Sequence, residues 1–311
     1  MLEHYINRHY TVYPCLASSE TSQPVQSAGK RGRAKHTTSQ KRKTMSIIHD
    51  MPADEYHASN AIGSTTLKTL YKHPPAVYEY QRDNPPQSDA FDIGTVAHAL
   101  ILEQDDSIVQ VIDVDRKSGK AWSEPAAQAR ENGKTPLKTS EWETVKAMRD
   151  SVMAHPVASA LLHKHSAEVS YFTKLYDGLY VKCRADAITS DSMTVVDLKT
   201  TGASADPTDF ARTAYNLGYH QSAAHYQDVI KQVTGFAPAF VFVVVSKQPP
   251  YLTSVVELHP DFVEYGRQAN HVAANIFKSC TTSGHWPGYT DTTVIDMPRW
   301  AQYQEDQKEE S

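Results

Sequence analysis

The residues of this chain best suited to chemistry are two carboxylates and an amine in one short stretch, CRADAITSDSMTVVDLKT, residues 183–200. Asp186 ends the strand-like run VKCRADAI, and Asp197 and Lys199 end the next, MTVVDLK, with the turn-type cluster TSDS between them. Folded as a hairpin about Ser190–Met193, Asp186 falls opposite Asp197. Lys199 shares the face of Asp197 because strand side chains alternate. Two carboxylates and an amine converging on one sheet surface suit metal-dependent phosphodiester hydrolysis. Carboxylate oxygens are preferred ligands of Mg2+. The ion activates water and relieves charge on the phosphoryl and leaving oxygens. The lysine orients the water, helps to deprotonate it as the neutral amine, or stabilises the transition state as the ammonium. The peptide carbonyl of Leu198 is a further candidate ligand. The competing reading is a surface hairpin with ordinary charges. Against it, Asp197 terminates an apolar run, and a buried carboxylate needs a partner or a metal.

The elements around this stretch must position it. EVSYFTKL (168–175), the turn YDG (176–178), GLYVKCRADAI (178–188) and MTVVDLK (193–199) follow period two and predict a three-stranded antiparallel meander. With the first hairpin centred near Asp177, Glu168 pairs with Asp186, and Glu168, Asp186 and Asp197 lie side by side. Glu168 is then a supporting or substrate-facing acid, or else a strand-edge charge. FDIGTVAHALILEQ (91–104) has helical spacing, with Gly94 open to a close backbone approach and His98 near the apolar face. A lone helix histidine is more often packed than ligating, yet imidazole can complete a mixed metal site. In YHQSAAHYQDVI, Gln221 and His225 share one helix face and Ser222 and Tyr226 another. Such a face holds site carboxylates or DNA phosphates, or is only amphipathic.

The remaining pattern is that of an α/β chain. Ser64 is the expected cap of a helix TTLKTLYK that Pro74-Pro75 ends. Residues 111–137 read as a loop-rich excursion, 139–154 as a helix capped by Thr139 or Ser140, and Pro156 as the start of another. Helices are expected at 207–217 and 219–233, and one of about 20 residues from Pro260. AFVFVVVS (239–246) is apolar on both faces, hence a buried central strand, with YLTSVVEL (251–258) as its neighbour. The last residues read as a charged helix.

Composition narrows the function classes. The 311 residues carry 31 Lys/Arg and 36 Asp/Glu, and residues 1–44 hold eight of the former and two of the latter. That leaves 23 basic and 34 acidic residues, a net of −11, in residues 45–311. An acidic body that grips nucleic acid must concentrate its cations locally and offset its acids with metal. Residues 1–44, with KRGRAK and QKRK, are expected to be a disordered basic extension, with a nucleic-acid-binding arm and a natural start at Met45 as alternatives. Cys15, Cys183 and Cys280 lack CxxC spacing, which excludes a disulfide framework, a zinc site and a four-cysteine cluster. There is no apolar run of the ~18 residues that span a membrane, no signal-peptide pattern, no P-loop or G-x-G-x-x-G and no G-x-S-x-G. The expectation is a soluble protein of a reducing bacterial cytoplasm, with no membrane partner.

Taken in order, GTVAHALILE, Glu168-Val-Ser, Arg184-Ala-Asp186-Ala-Ile, Val196-Asp197-Leu-Lys199-Thr-Thr and the YHQSAAHY helix resemble the PD-(D/E)XK nuclease superfamily. Within it they look most like the RecE-type exonucleases (exodeoxyribonuclease VIII) and related phage or prophage proteins. MPADEYHAS and WPGYTDTTVIDMPRWA agree, so that the resemblance covers about 45–302. It implies a restriction-endonuclease-like core with a central mixed sheet flanked by helices. It implies a nuclease domain at 45–302 between the basic extension 1–44 and a charged tail 303–311. It implies that His98, Asp186, Asp197 and the Leu198 carbonyl hold Mg2+, with Mn2+ able to substitute. Asp186, Asp197 and Lys199 would then be catalytic, and Glu168, Arg184, Gln221 and Tyr226 supporting or substrate-binding. It further implies degradation of linear double-stranded DNA from the 5′ strand, a ring-shaped homo-oligomer and a RecT-type annealing partner. Alternatives are an endonuclease, a single-strand-specific nuclease, or a non-catalytic DNA-binding protein on the same fold. One departure stands out: the family's glutamine lies four residues before the helix tyrosine, where this chain has Ser222, and Gln221 is displaced by one position, about 100° around the helix.

Overall fold

The computed structural model describes residues 45–84, 89–290, 292 and 294–303. They fall within one compact unit, Lys43–Ser311. The expectations for residues 1–44, and for the tail beyond residue 303, lie outside the described residues. In chain order the elements are β1 (Ser46–Ile48), α1 (Ala53–Ala58), α2 (Ser64–Lys72), α3 (Pro75–Asp83), α4 (Asp89–His98), β2 (Val109–Ile112), α5 (Lys120–Glu131), β3 (Thr135–Lys138), α6 (Thr139–Ala154) and α7 (Pro156–Leu162). There follow β4 (His165–Leu175), β5 (Leu179–Thr189), β6 (Thr194–Thr201), α8 (Pro207–Asn216), α9 (Tyr219–Thr234), β7 (Ala239–Ser246), β8 (Thr253–Glu257) and α10 (Pro260–Ser283).

The central sheet has six strands in the order β1-β4-β5-β6-β7-β8. All neighbours are antiparallel except β6 and β7, which are parallel. The sheet is mixed because the meander β4-β5-β6 is closed by tight turns, while β6 reaches β7 through the helical crossover α8-α9. Each face carries its own apolar layer. Val181, Cys183, Val195 and Phe242 pack with Leu67 of α2, Ala223 of α9 and Ala273 of α10. Ala187, Val196, Leu198 and Val243 pack with Val96 of α4 and Val145 and Met148 of α6. The apolar run of β7 is buried on both faces, as a central strand requires.

Three local expectations are corrected. Residues 111–137 are not only loop: α5 lies there, and β2 and β3 pair in parallel as a separate two-stranded sheet. The helix expected through residue 104 turns from α into a π turn at Ala99–Glu103 and ends on Gln104 in the left-handed region. The caps also shift by one residue. Gly63, not Ser64, precedes α2, and Lys138 precedes α6, where the Glu141 carboxylate accepts from the Lys138 amide at 2.9 Å.

Candidate active site

The register expected of the meander is present. Ala167 pairs with Ala187 and Val169 with Ala185, which sets Glu168 opposite Asp186. Ala187 pairs with Val196, which sets Asp186 opposite Asp197. Both acidic positions fall where the ladders are interrupted. Glu168 has φ +53°, a left-handed conformation uncommon outside glycine. It reverses the facing of β4: Val169 and Tyr171 enter one apolar layer, whereas Ala167 packs against the other. β5 changes phase opposite it, with Cys183 and Ala185 in the first layer and Ala187 in the second. The β5–β6 pairing begins only at Ala187, so the strands part at Asp186.

Asp186 occupies that gap. Its Oδ2 accepts from the Leu198 amide at 3.1 Å and lies 3.1 Å from His98 Nε2. His98 comes from the end of α4, whose Gly94 faces β6: a Cβ there would meet Thr200 Oγ1 at 3.9 Å. Its Nδ1–H donates to the Gly94 carbonyl at 2.8 Å. Burial pushes the Asp186 carboxyl up, but the His98 hydrogen bond and charge, Lys199 and the Leu198 amide hold it below the usual range. Burial pushes His98 down, and the bond to Asp186 outweighs it, raising His98 to about 9.

Asp197 is 5% exposed. Its Oδ1 is buried without a well-directed hydrogen bond, and the Lys199 ammonium lies against it. Burial and the charge of Asp186 raise the Asp197 carboxyl above its ordinary value despite Lys199. Burial lowers Lys199, but Asp197 and Asp186 more than offset this and keep it an ammonium. Lys199 Nζ also sits 5.1 Å from the centroid of the Tyr219 ring.

The supporting residues divide. Glu168, Arg184, Asp186, Lys199 and Tyr226 line one cleft of about 2200 Å³ together with His98. Arg184 donates to Glu168 at 3.3 Å, to Ser170 at 3.0 Å and to the Met51 carbonyl at 2.8 Å. Burial and Asp186 raise the Glu168 carboxyl, with Arg184 opposing them. Gln221 does not reach the site. It is buried against α10, where its Nε2 donates to Asn270 Oδ1 at 3.2 Å and Asn270 Nδ2 donates to its carbonyl at 2.8 Å. The one-position displacement seen in the sequence is thus a change of facing. Of Leu198, the group engaged is the amide rather than the carbonyl.

Two contributors were not found by spacing. The ring of Tyr56 of α1 meets both Lys182 Nζ, 4.4 Å from its centroid, and the Arg184 guanidinium, 4.3 Å away. Lys182 Nζ donates to the Tyr56 carbonyl at 2.5 Å and to Ser59 Oγ at 3.0 Å, which straps α1 over the cleft. The second is Lys68 of α2, distant from Lys199 in sequence but over the same Tyr219 ring. MPADEYHAS had pointed to the first region as a motif, whereas nothing in the spacing marked Lys68.

The donor types suit a hard divalent ion. The Nδ1–H bond to Gly94 fixes the His98 ring so that Nε2 faces the carboxylates, a common arrangement of ligating histidines. Asp197 Oδ1, which the Lys199 ammonium meets without a well-directed hydrogen bond, is a second carboxylate oxygen suited to a metal ion. In the present arrangement His98 rests on Asp186 and Lys199 on Asp197, and among the described residues no three His, Cys, Asp or Glu form a ready-made cage. An ion held here would have to part these pairs.

Comparison with known proteins identifies this fold. A family described as "PDDEXK-like domain of unknown function (DUF3799)" matches residues 63–295. The chain belongs to that family, and with it to the PD-(D/E)XK superfamily. A crystal structure from Eubacterium rectale, named "Putative exonuclease", aligns over 80% of this chain and 96% of its own with a TM-score of 0.57 and 13% identity. That likeness supports the fold. A second crystal structure, of SSO0001, covers 66% of this chain and 99% of its own at 12% identity, with a TM-score of only 0.27. No curated protein matches the chain significantly. Among the described residues no helix is long and apolar enough to cross a membrane.

Proposed function

We propose that the chain is a metal-dependent DNA exonuclease that degrades linear double-stranded DNA 5′ to 3′ and leaves 3′ single-stranded tails for recombination by annealing. The observation that supports it most is the meeting of His98, Asp186, Asp197 and Lys199 where β5 and β6 part, in a chain of the PDDEXK-like family. Mg2+ is the assigned ion, with Mn2+ able to substitute. His98, Asp186, Asp197 and the Leu198 carbonyl would hold it. When bound, it supplies an activated water and relief of charge on the phosphoryl oxygens.

The chain's own residues do the rest. The Leu198 amide holds Asp186 in place. Gly94 O orients His98 through Nδ1. The Lys199 ammonium faces the cleft, where it orients the attacking water or takes up charge developing on the phosphoryl group. Arg184, held by Glu168 and Ser170, supplies a planar cation at the cleft wall for a backbone phosphate. The RecE-type resemblance supports the 5′ to 3′ direction, a ring-shaped homo-oligomer, a RecT-type annealing partner and a phage or prophage origin in a bacterial cytoplasm. The domain limits 45–302, with 1–44 as a basic extension, belong to the same proposal.

The test is digestion of matched linear, nicked and closed circular duplexes with Mg2+ or with chelator. Loss of linear duplex alone, only with Mg2+ and with 3′ tails as intermediates, is expected. Equal cleavage of closed circles would make the protein an endonuclease. Attack on single strands alone would make it single-strand-specific, and binding without turnover a DNA-binding protein on a nuclease fold.

A further inference from the structure

The corner where α2 meets the start of α9 holds a cation without a direct ion pair, whose nearby carboxylate, Asp197, is already taken up by Lys199. The stem of Lys68 lies over Gly218: a Cβ at Gly218 would stand 2.8 Å from Lys68 Cδ and 3.0 Å from Cγ. Its ammonium is 5.9 Å from the centroid of the Tyr219 ring, and that of Lys199 is 5.1 Å from the same centroid. Asp197 neutralises Lys199. Lys68 has no hydrogen bond or ion pair among the described residues. Burial, and then the like charge of Lys199, push Lys68 down to about 8. α9 begins at this corner on Gly218 without a side-chain cap, so the positive end of its dipole adds to the excess. An ammonium so placed costs free energy until an anion pairs with it. Tyr219 and Lys199 line the cleft, and Lys68 adjoins that wall over the Tyr219 ring.

We propose that Lys68 is a phosphate-binding residue that takes up a backbone phosphodiester of the DNA strand beside Lys199, and so holds that strand in the cleft. The assignment rests on the nuclease function proposed above. A phosphodiester carries the single negative charge that one unbalanced ammonium requires, with acceptor oxygens for both. Lys199 is already neutralised, so Lys68 contributes binding that the residues of the gap between β5 and β6 do not supply.

The test is equilibrium binding of a blunt linear duplex to the full-length protein in chelator, without turnover, across a series of KCl concentrations. Each phosphate contact contributes about −0.9 to the slope of log K against log salt. In Lys68→Met the affinity falls and the slope becomes shallower by about one, while Lys68→Arg retains both. Should Lys68→Met fail to fold, Lys68→Gln is held to the same criteria. Unchanged affinity and slope in the neutral variant, or an arginine variant as weak as the neutral one, would overturn the assignment. Wild-type protein that binds no duplex in chelator and cleaves none with Mg2+ overturns it together with the nuclease function, whereas wild-type protein that cleaves duplex but whose binding Lys68→Met matches overturns the role of Lys68 alone.

Discussion

The seat of α9 on α10 depends on Gly266, and replacing it measures how tightly that seat is built. A Cβ at Gly266 would lie 2.3 Å from the His220 carbonyl oxygen, 2.5 Å from its carbon and 2.8 Å from the Gln221 nitrogen. All three are backbone atoms of the first turn of α9, so no flexible side chain can yield. Ordinary contact begins near 3.4 Å, so the two helices must separate by roughly 1 Å. Overpacking of this kind costs about 1–3 kcal/mol and occasionally more. The backbone contact puts Gly266→Ala at the upper end, and the better helix propensity of alanine returns about 1 kcal/mol. A net loss of about 2 kcal/mol or more lowers Tm by roughly 4–8 °C in a domain of this size. Gly94→Ala is the control. Its Cβ would meet only Thr200 Oγ1 at 3.9 Å, so propensity dominates and Tm holds or rises. Thermal denaturation of both variants in chelator decides the matter. A Gly266→Ala protein as stable as wild type would refute the close packing that positions Tyr219 and Tyr226.

Two further outcomes follow from the site. His98 is raised from 6.5 to about 9 in the folded metal-free protein. Its contribution to stability is therefore fully present below about pH 6.5 and lost as pH rises through about 9. Tm in chelator should fall over that window more steeply in wild type than in His98→Gln, and parallel profiles would contradict the His98–Asp186 bond. Gln221→Ala removes a buried hydrogen bond and leaves Asn270 Oδ1 unsatisfied, at a cost of about 1–3 kcal/mol. Urea denaturation should show that loss while kcat stays within about threefold of wild type, an allowance of less than ~1 kcal/mol. A collapse of kcat without loss of stability would return Gln221 to the site.

Much of this arrangement was legible in the sequence because the meander is governed by local rules. Turns at Asp177 and Ser190–Met193 fix the register, and the register alone sets Glu168, Asp186 and Asp197 opposite one another. What escaped depends on distant packing. β3 contains Pro136, and α5 contains Pro125, so neither offers a clean period. The apolar run 99–103 reads as continuous helix, and nothing local announces its π turn. The strap made by Lys182 and Arg184 on Tyr56 joins residues more than 120 positions apart. Helical spacing placed Gln221 and His225 on one face without saying which neighbour that face meets. α10 takes Gln221, whereas His225 Nε2–H donates to the Lys182 carbonyl and Nδ1 accepts from the Tyr176 hydroxyl.

The gap between β5 and β6 is tested most directly by Asp197→Ala, assayed on linear duplex with Mg2+ beside a thermal melt of the same preparation. Asp197 is the buried acid that Lys199 answers, and its removal takes away both an oxygen ligand and the charge that positions the ammonium. The expected result is a folded protein whose cleavage rate falls at least about a hundredfold. A folded Asp197→Ala protein that cleaves at the wild-type rate would contradict the assignment of this site.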